Sequence, residues 1–553
     1  MPDEPERIDS AKLPFRWKVG ILSAAAVAFF CKIALALTTF GTNDVCTWER
    51  FAFWSRLLGV GVYRLNQDFN HPPSMIYILR CIGWLTDTTG IAFPFWMRMP
   101  AILADAGSLW IVWRLLTPRM HERSVRWGLL LMALSPVLIL VSGFHGNTDS
   151  VMIFFLLLSV WLATTDTPGW AAGAAFGAAL CIKVVPLAVL PVMFFYLHGF
   201  RRRAVFVASI LALLLVAWSP FVFEEPGLII QGVFGYRSTA GVWGITWLLN
   251  LAVNHSQVWQ QPRLIVQNFG GYVVIAVIAV WSYRMNRAAT RPDLYSQVGA
   301  VLCFFLAAAN GFGVQYLAWL VPWTAGMGLV PAAMFAAAGS TYLFLIYDYR
   351  AGGLPWYLSD FNFPREYPGH LDYPQALCWL SVVVLAWSGW RRTARAHGGE
   401  SGANGTALRM LRGTVACLVM GAMVSPLMVR ALLTDRQPRT SGDNARVTAM
   451  NGADYVDLAV RMESEGKIEG KVGQARRALA LHPELRRTIV DIQTKPLAEF
   501  WNSLAESYAA RGMWDDSIMA AKWALTVDRG NQNAAGNLTL ALERKGLGSA
   551  PEK

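Results

Sequence analysis

The chain has 553 residues, 55% hydrophobic and 15% charged, with a mean hydropathy of +0.37. That mixture excludes a string of ordinary soluble domains and reads as a protein mostly embedded in membrane. From Thr434 onward there are 17 Lys/Arg and 16 Asp/Glu, so residues 1–433 keep 31 basic and 20 acidic residues and nearly all of the formal charge of +12; a basic excess beside apolar spans reads as topology and not as nucleic-acid binding.

The first 16 residues carry no small-residue cleavage site after an early apolar run and read as a retained cytosolic leader. Apolar runs of about 20 residues mark spans. They fall near 17–40, 94–116, 127–143, 150–165, 170–183, 184–199, 204–222, 264–283, 294–309, 315–329, 330–347, 374–390 and 413–433. Arginine clusters orient them: Arg119, Arg123 and Arg126; Arg201, Arg202 and Arg203; Arg284, Arg287 and Arg291; and Arg391, Arg392, Arg395, Arg409 and Arg412 all belong inside. The N-terminus is then cytoplasmic, and an odd number of spans carries the tail into the periplasm of a bacterial inner membrane. Pro186, Pro322 and Pro331 mark places where helices should break.

Long outer loops are expected at 41–93, 223–263 and 348–373. In the first, Trp48, Phe51, Leu57, Leu58, Val62 and Leu65 recur at helical spacing, while Glu49, Arg50, Arg56 and Arg64 take other faces. This predicts an amphipathic helix along the membrane surface. A second apolar stretch, Pro72 to Leu85, lies in the interface or dips back, with Arg80 against a simple span. The seven cysteines show no CxxC spacing, which argues against zinc. Cys46 and Cys81 share the first outer loop, where a disulfide and two unrelated thiols both remain open.

Residues 17–433 form one expected unit and residues 434–553 another. In the second, Leu504, Tyr508 and Gly512 recur 34 residues later as Leu538, Leu542 and Gly546, and an earlier copy has Leu458, Gly466, Ala478 and Pro483. Trp501, Leu504, Tyr508, Gly512 and Ala524 resemble the tetratricopeptide repeat. Arg529 stands where that repeat usually has proline, and residues 486–497 interrupt the array; an unrelated helical bundle is the alternative. The fold class expected overall is all-α: a polytopic transmembrane helical bundle plus a soluble helical repeat domain that can dock a protein partner.

Polar residues at span ends are costly unless they pair or face water, so their positions carry the functional signal. They are Asn43, Asp44 and Glu49 after the first span; Asn70 and His71 in QDFNHPPS; His145, Asn147 and Asp149 in GFHGNTDS; Lys183 in CIKVVP; Tyr236 and Arg237 in FGYRSTAGVWG; and Asn310, Gln315 and Tyr316 in NGFGVQYLAW. All face outward on this topology. Each has a plainer reading as a helix cap, a turn, a snorkelling lysine or an aromatic belt. Taken together they exceed what capping requires.

Asp44 soon after the first span, a long first outer loop, the acid in HGNTDS, the Lys-x-x-Pro of IKVVP and the GVQYLAW segment together resemble integral-membrane glycosyltransferases of the GT-C superfamily. The nearest likeness is to bacterial enzymes that use polyprenyl-phosphate sugars, such as mannosyltransferases. The resemblance implies an outward cavity in which a hexose moves from a polyprenyl-phosphate donor to a glycan, lipid-linked or protein acceptor. It implies Asp44 as base and Lys183 and Arg237 as cations for the donor phosphate, with His71 sharing that charge or binding sugar hydroxyls. Asp149, the second catalytic acid, would orient the acceptor or His145, and Asn43, Glu49, His145, Asn147, Tyr236, Asn310, Gln315 and Tyr316 would bind the sugar or acceptor. One base and a directly attacking acceptor imply inversion. The first loop reads TNDVCTWE and lacks a D-x-D, so no metal ligand set is assigned and a divalent cation stays open. The rivals are a transporter or lipid flippase, with Lys32 as an ionisable group inside an early span, and a non-enzymatic envelope scaffold.

Overall fold

A computed structural model describes residues 13–58, 62–65, 69–165, 167–224, 226–235, 239–287, 292–351, 353–356, 358–359, 361, 369–397, 497–527 and 530–546. The described chain is all-α apart from one short parallel pair. Its strands, β1 (Gly41–Thr42) and β2 (Leu358–Ser359), set Gly41 opposite Leu358 and Thr42 opposite Ser359.

The first helix, α1 (Phe15–Thr38), is followed by α2 (Asn43–Leu58), α3 (Val62–Leu65) and α4 (Ser74–Thr89). The chain returns in α5 (Phe93–Leu116), then runs through α6 (Glu122–Ala133), α7 (Pro136–Leu140) and a π turn at Val141–His145. Next come α8 (Asp149–Ala163), α9 (Gly169–Ile182), α10 (Leu190–Tyr196), α11 (Phe200–Val222), α12 (Pro226–Gly235), α13 (Gly244–His255), α14 (Gln260–Arg287) and α15 (Leu294–Ala307). The bundle closes with α16 (Thr324–Met327), α17 (Leu329–Ala351) and α18 (Asp372–His397). Among the described residues, six segments are long and apolar enough to cross a membrane, and lipid-type side chains such as Leu211, Leu215 and Phe269 are exposed on them. This is a multi-pass membrane architecture.

Each expected span from 17–40 to 374–390 falls on a described helical segment: 127–143 is kinked at Ser135–Pro136 between α6 and α7 and ends in the π turn, and two others are altered further. Residues 184–199 are a 3-10 turn at Val185–Ala188 followed by α10, and 315–329 are 3-10 turns at Val314–Trp319 and Val321–Trp323 followed by α16. Pro186, Pro191 and Pro322 lack the amide hydrogen that a continuous helix needs there. Pro331 breaks nothing: it lies in the first turn of α17, where proline is tolerated. The span expected at 413–433 lies outside the described residues.

The expected surface helix is α2, which buries Val45, Trp48, Phe51 and Ala52. Of the stretch Pro72 to Leu85, the residues from Ser74 onward form part of α4, and Arg80 docks it on α2 by donating to the Ser55 carbonyl at 3.0 Å. Cys81 is a free thiol.

Close packing aligns the spans. A Cβ on Gly173 would strike the Phe206 carbonyl and one on Gly177 would crowd Ile210 and Leu213, so two glycines let α9 and α11 run side by side in the same direction. The resulting alternation places Arg119, Arg123, Arg126, Arg201–Arg203, Arg284, Arg287 and Arg392 at one end of the bundle. Asp44, His145, Asp149 and Lys183 lie at the other.

In the tail, α19 (Leu497–Ala509), α20 (Trp514–Val527) and α21 (Gln532–Arg544) share a core of Trp501, Leu504, Tyr508, Ala520, Ala524 and Leu538. Gly512, at φ +72°, makes the turn between the first two. The earlier copy, with Leu458, Gly466, Ala478 and Pro483, lies outside the described residues.

Candidate active site

The site begins where α1 stops. Arg98 of α5 is wholly buried and donates to the carbonyls of Leu35 (3.2 Å), Thr39 (3.1 Å) and Phe40, which fixes the chain leaving the helix. Gly41 then turns at φ +106°, with the Arg98 guanidinium and the Phe144 carbonyl occupying the space a Cβ would need. Thr42 donates to the His145 carbonyl at 2.9 Å and accepts from the Asp44 amide at 3.3 Å. One threonine therefore holds the first turn of α2 against the loop that carries His145.

That loop is shaped by the π turn Val141–His145, which ends at Gly146, φ +77°. A Cβ on Gly146 would collide with Val45, so the loop approaches α2 closely enough for side chains to bond across. Asp44 Oδ2 accepts from His145 Nε2 at 3.0 Å and from Asn147 Nδ2 at 2.7 Å. On the far side of the imidazole, His145 Nδ1 lies 2.9 Å from the Tyr347 hydroxyl. A carboxylate only accepts, so a neutral His145 carries its proton on Nε2 and receives the Tyr347 hydroxyl at Nδ1.

Asp149 is fully buried at the first position of α8 and takes a different partner. Both its oxygens lie 2.8 Å from Lys183 Nζ, and Trp319 Nε1 donates to Oδ1 at 2.5 Å. Lys183 reaches it because α9 ends one residue earlier and Lys183 is extended, φ −150°, before the Pro186 turn. The ammonium also lies 5.7 Å from the Tyr316 ring, which stacks on Trp319.

Asp44, Asn147, Lys183, Tyr316 and Trp319 border a cavity of about 460 Å³. Asp44, Asn70, His71, Asn147, Lys183, Asn310, Gln315 and Tyr316 are its polar lining, and Val184, Val233, Phe234, Val274, Phe305 and Leu306 are among its apolar lining. A wall that offers both polar and apolar groups suits an amphiphilic ligand.

The electrostatics separate the acid from the histidine. Burial pushes the Asp44 carboxyl up, but His145, Lys183 and the hydrogen bond from Asn147 outweigh it and hold the group below its ordinary value of 3.8. His71 is pushed down to about 3 by burial and by Lys183, against a smaller opposing pull from Asp44. Its ring packs 4.2 Å from Trp48, and its carbonyl accepts from Tyr63 at 2.6 Å. These effects favour the neutral form of His71, and Lys183 is the lysine or arginine among the described lining residues.

Other expected residues stand back. Asn43 accepts from the Phe361 amide at 3.2 Å, and Glu49 is buried in α2 away from the cavity wall. Asp149 meets Lys183 and Trp319, not His145, because α8 turns its first residue away from the imidazole. Asn310 lines the cavity while pinning α14 through the carbonyls of Val266 (2.8 Å) and Gln267 (3.3 Å). Tyr236 and Arg237 lie outside the described residues.

Sequence reasoning missed Tyr347, Arg98 and a buried ion pair beneath the loop. Lys32 Nζ is 2.5 Å from Asp105 Oδ2, which also accepts from Ser142 at 2.6 Å; Ser142 meets Ser150 at 3.0 Å. The signal was present in Arg98 and Asp105, two charges inside an otherwise apolar run. Tyr347, an aromatic in an apolar helix, gave none.

No group of three or more His, Cys, Asp or Glu side chains suited to hold a metal ion occurs among the described residues. Residues 85–233 match the model of the ALG6, ALG8 glycosyltransferase family, a stretch that takes in His145, Asn147, Asp149 and Lys183 but not Asp44 or His71. No curated protein matches the chain. Among solved structures, ArnT from Cupriavidus metallidurans bound to undecaprenyl phosphate is similar at 14% identity and a TM-score of 0.41, over 69% of this chain and 76% of that one. The chain is thus a multi-pass membrane protein that is similar over residues 85–233 to a glycosyltransferase family.

Proposed function

We propose that the protein is a membrane glycosyltransferase that moves a hexose, such as mannose, from a polyprenyl-phosphate donor to a glycan, lipid-linked or protein acceptor at the outer face of a bacterial inner membrane. The observation that carries this reading is a cavity lined by a carboxylate, Asp44, an ammonium, Lys183, and both neutral polar and apolar side chains. A lipid-phosphate sugar has those three needs: a base for the acceptor hydroxyl, a cation for the leaving phosphate and an apolar surface for the first isoprene units. The family match over 85–233 supports the same class.

In this mechanism Asp44 takes the acceptor proton as the new glycosidic bond forms. Its lowered proton affinity makes it a weak base, but keeps it ionised, and the hydroxyl becomes acidic as its oxygen bonds to the anomeric carbon. His145 and Asn147 orient the carboxylate. Lys183, aimed by Asp149 and Trp319, receives negative charge on the departing phosphate, and Arg237 is assigned as a second cation from the sequence alone. Neutral His71, with Asn70, Gln315 and Tyr316, reads sugar hydroxyls. Direct attack with one base gives inversion. The tail, read as tetratricopeptide-like repeats, would hold a partner or an acceptor.

A transporter reading would draw on the buried Lys32–Asp105 pair. That pair is closed on itself and on Ser142, and it lies outside the cavity wall. The proposed function is tested with purified protein and a labelled polyprenyl-phosphate hexose: Asp44→Asn should lose most turnover while remaining folded, and wild-type transfer would remove Asp44 from the base role.

A further inference from the structure

At the end of the bundle opposite Asp44 and Lys183 there is a second cavity, of about 290 Å³, enclosed by the segment after α5, the start of α15, α16 and the last turns of α18. Its chemistry is unrelated to that of the first. Arg119 and Arg392 bring two guanidinium groups from separate elements, Asp293 brings one carboxylate, and Ser296 and Thr393 bring hydroxyls.

The three charged side chains are exposed at the rim, and each is anchored from behind. Arg119 Nη1 donates to the Leu115 carbonyl at 2.7 Å, and Arg392 Nη1 donates to the Gly326 carbonyl at 3.1 Å. Asp293 caps α15 by accepting from the Ser296 amide at 3.0 Å. Anchoring one edge of a guanidinium orients its remaining donors, which suits a tetrahedral phosphate approached from two sides. The carboxylate sets a limit on the ligand. A polyphosphate or a bare dianion would meet Asp293 unfavourably, whereas a phosphate carrying an ammonium group would satisfy all three charges. The cavity opens where apolar spans end among arginines, the level at which phospholipid headgroups lie.

The geometry points to a headgroup site for a phosphoethanolamine-type phospholipid, with its phosphate on Arg119 and Arg392 and its ammonium on Asp293. Such a lipid would wedge between α5, α15 and α18 and tie these helices together at the face remote from the active site. The inference does not depend on the proposed transferase activity.

It is tested by titrating the full-length, delipidated protein in detergent with short-chain phosphatidylethanolamine, phosphatidylglycerol and inorganic phosphate, and counting bound species by native mass spectrometry. Wild type should bind phosphatidylethanolamine in preference to the other two. Arg119→Gln, whose anchor lies within its own segment, should weaken that binding severalfold, and R119Q/R392Q should weaken it at least tenfold with an unchanged gel-filtration profile. Asp293→Asn should erase the preference over phosphatidylglycerol. Unchanged binding in monodisperse R119Q would overturn the site. Equal binding of phosphatidylglycerol by wild type would overturn the role of Asp293, and displacement by equimolar inorganic phosphate would make this a free-anion site and overturn the headgroup assignment.

Discussion

Lys183 Nζ lies 2.8 Å from each carboxylate oxygen of Asp149, so the cation of the cavity wall is aimed by an acid that does not itself border the cavity. Removing either partner leaves a buried charge uncompensated, a loss of about 3–5 kcal/mol. Lys183→Met and Asp149→Leu should each lower the thermal unfolding midpoint in detergent sharply. The double variant should regain most of the midpoint and none of the turnover. A double variant with wild-type turnover would show that the ammonium has no part in the chemistry.

Tyr347 and His145 make a second such pair. Tyr347→Phe deletes the hydroxyl that faces Nδ1 and costs the imidazole about 1 kcal/mol of orienting hydrogen bond. Turnover should fall several-fold to about tenfold, with the donor KM little changed, because the lost contact orients the base and does not touch the donor. A raised KM at constant kcat would instead place Tyr347 in donor binding.

How much of this was legible in the sequence depended on polarity. Asp44, Asn147, Lys183 and Gln315 stood out because an apolar chain gives a polar residue few ordinary reasons to be there, and the structure brings all four to one cavity. Prolines 186 and 322 marked the two broken spans for a covalent reason, the missing amide. What stayed hidden were partnerships across the fold. Nothing local in Asp149 says that it meets Lys183 and not His145; that follows from where α9 ends. Tyr347 looks like any aromatic of an apolar helix until α17 sets it against the π turn. The burial of His71 and its nearby lysine, which favour its neutral form, are likewise invisible in the sequence around it.

Beneath the loop, the Lys32–Asp105 pair holds Ser142 of the π turn, while Gly143 packs against the Lys32 backbone. Lys32→Met alone should destabilise by about 3–5 kcal/mol, and K32M/D105L should recover most of that loss. Failure of the double variant to recover, measured as thermal unfolding in detergent, would show that the charges do more than neutralise each other.

The two shifted groups give a pH signature. Asp44 is held below 3.8 and stays ionised as pH falls from 7, so no acid limb of turnover above that value comes from it. His71 titrates at 6.5 when unfolded and at about 3 when folded, so between those values the unfolded chain binds the additional proton. Stability contributed by neutral His71 is complete above pH 6.5 and is lost as pH falls toward 3. His71→Gln should flatten the pH dependence of the unfolding midpoint in that window; an unchanged slope would mean that His71 is not buried in its neutral form.

The central claim is that Asp44, held by His145 and Asn147, removes the acceptor proton in a lipid-facing cavity. Its most direct test is single-turnover transfer from a radiolabelled polyprenyl-phosphate hexose by wild type and Asp44→Asn, with donor binding measured alongside. The account predicts a fall in rate of about 10²–10⁴-fold, the range general-base catalysis supplies, with donor affinity retained. Transfer by D44N at the wild-type rate would contradict it.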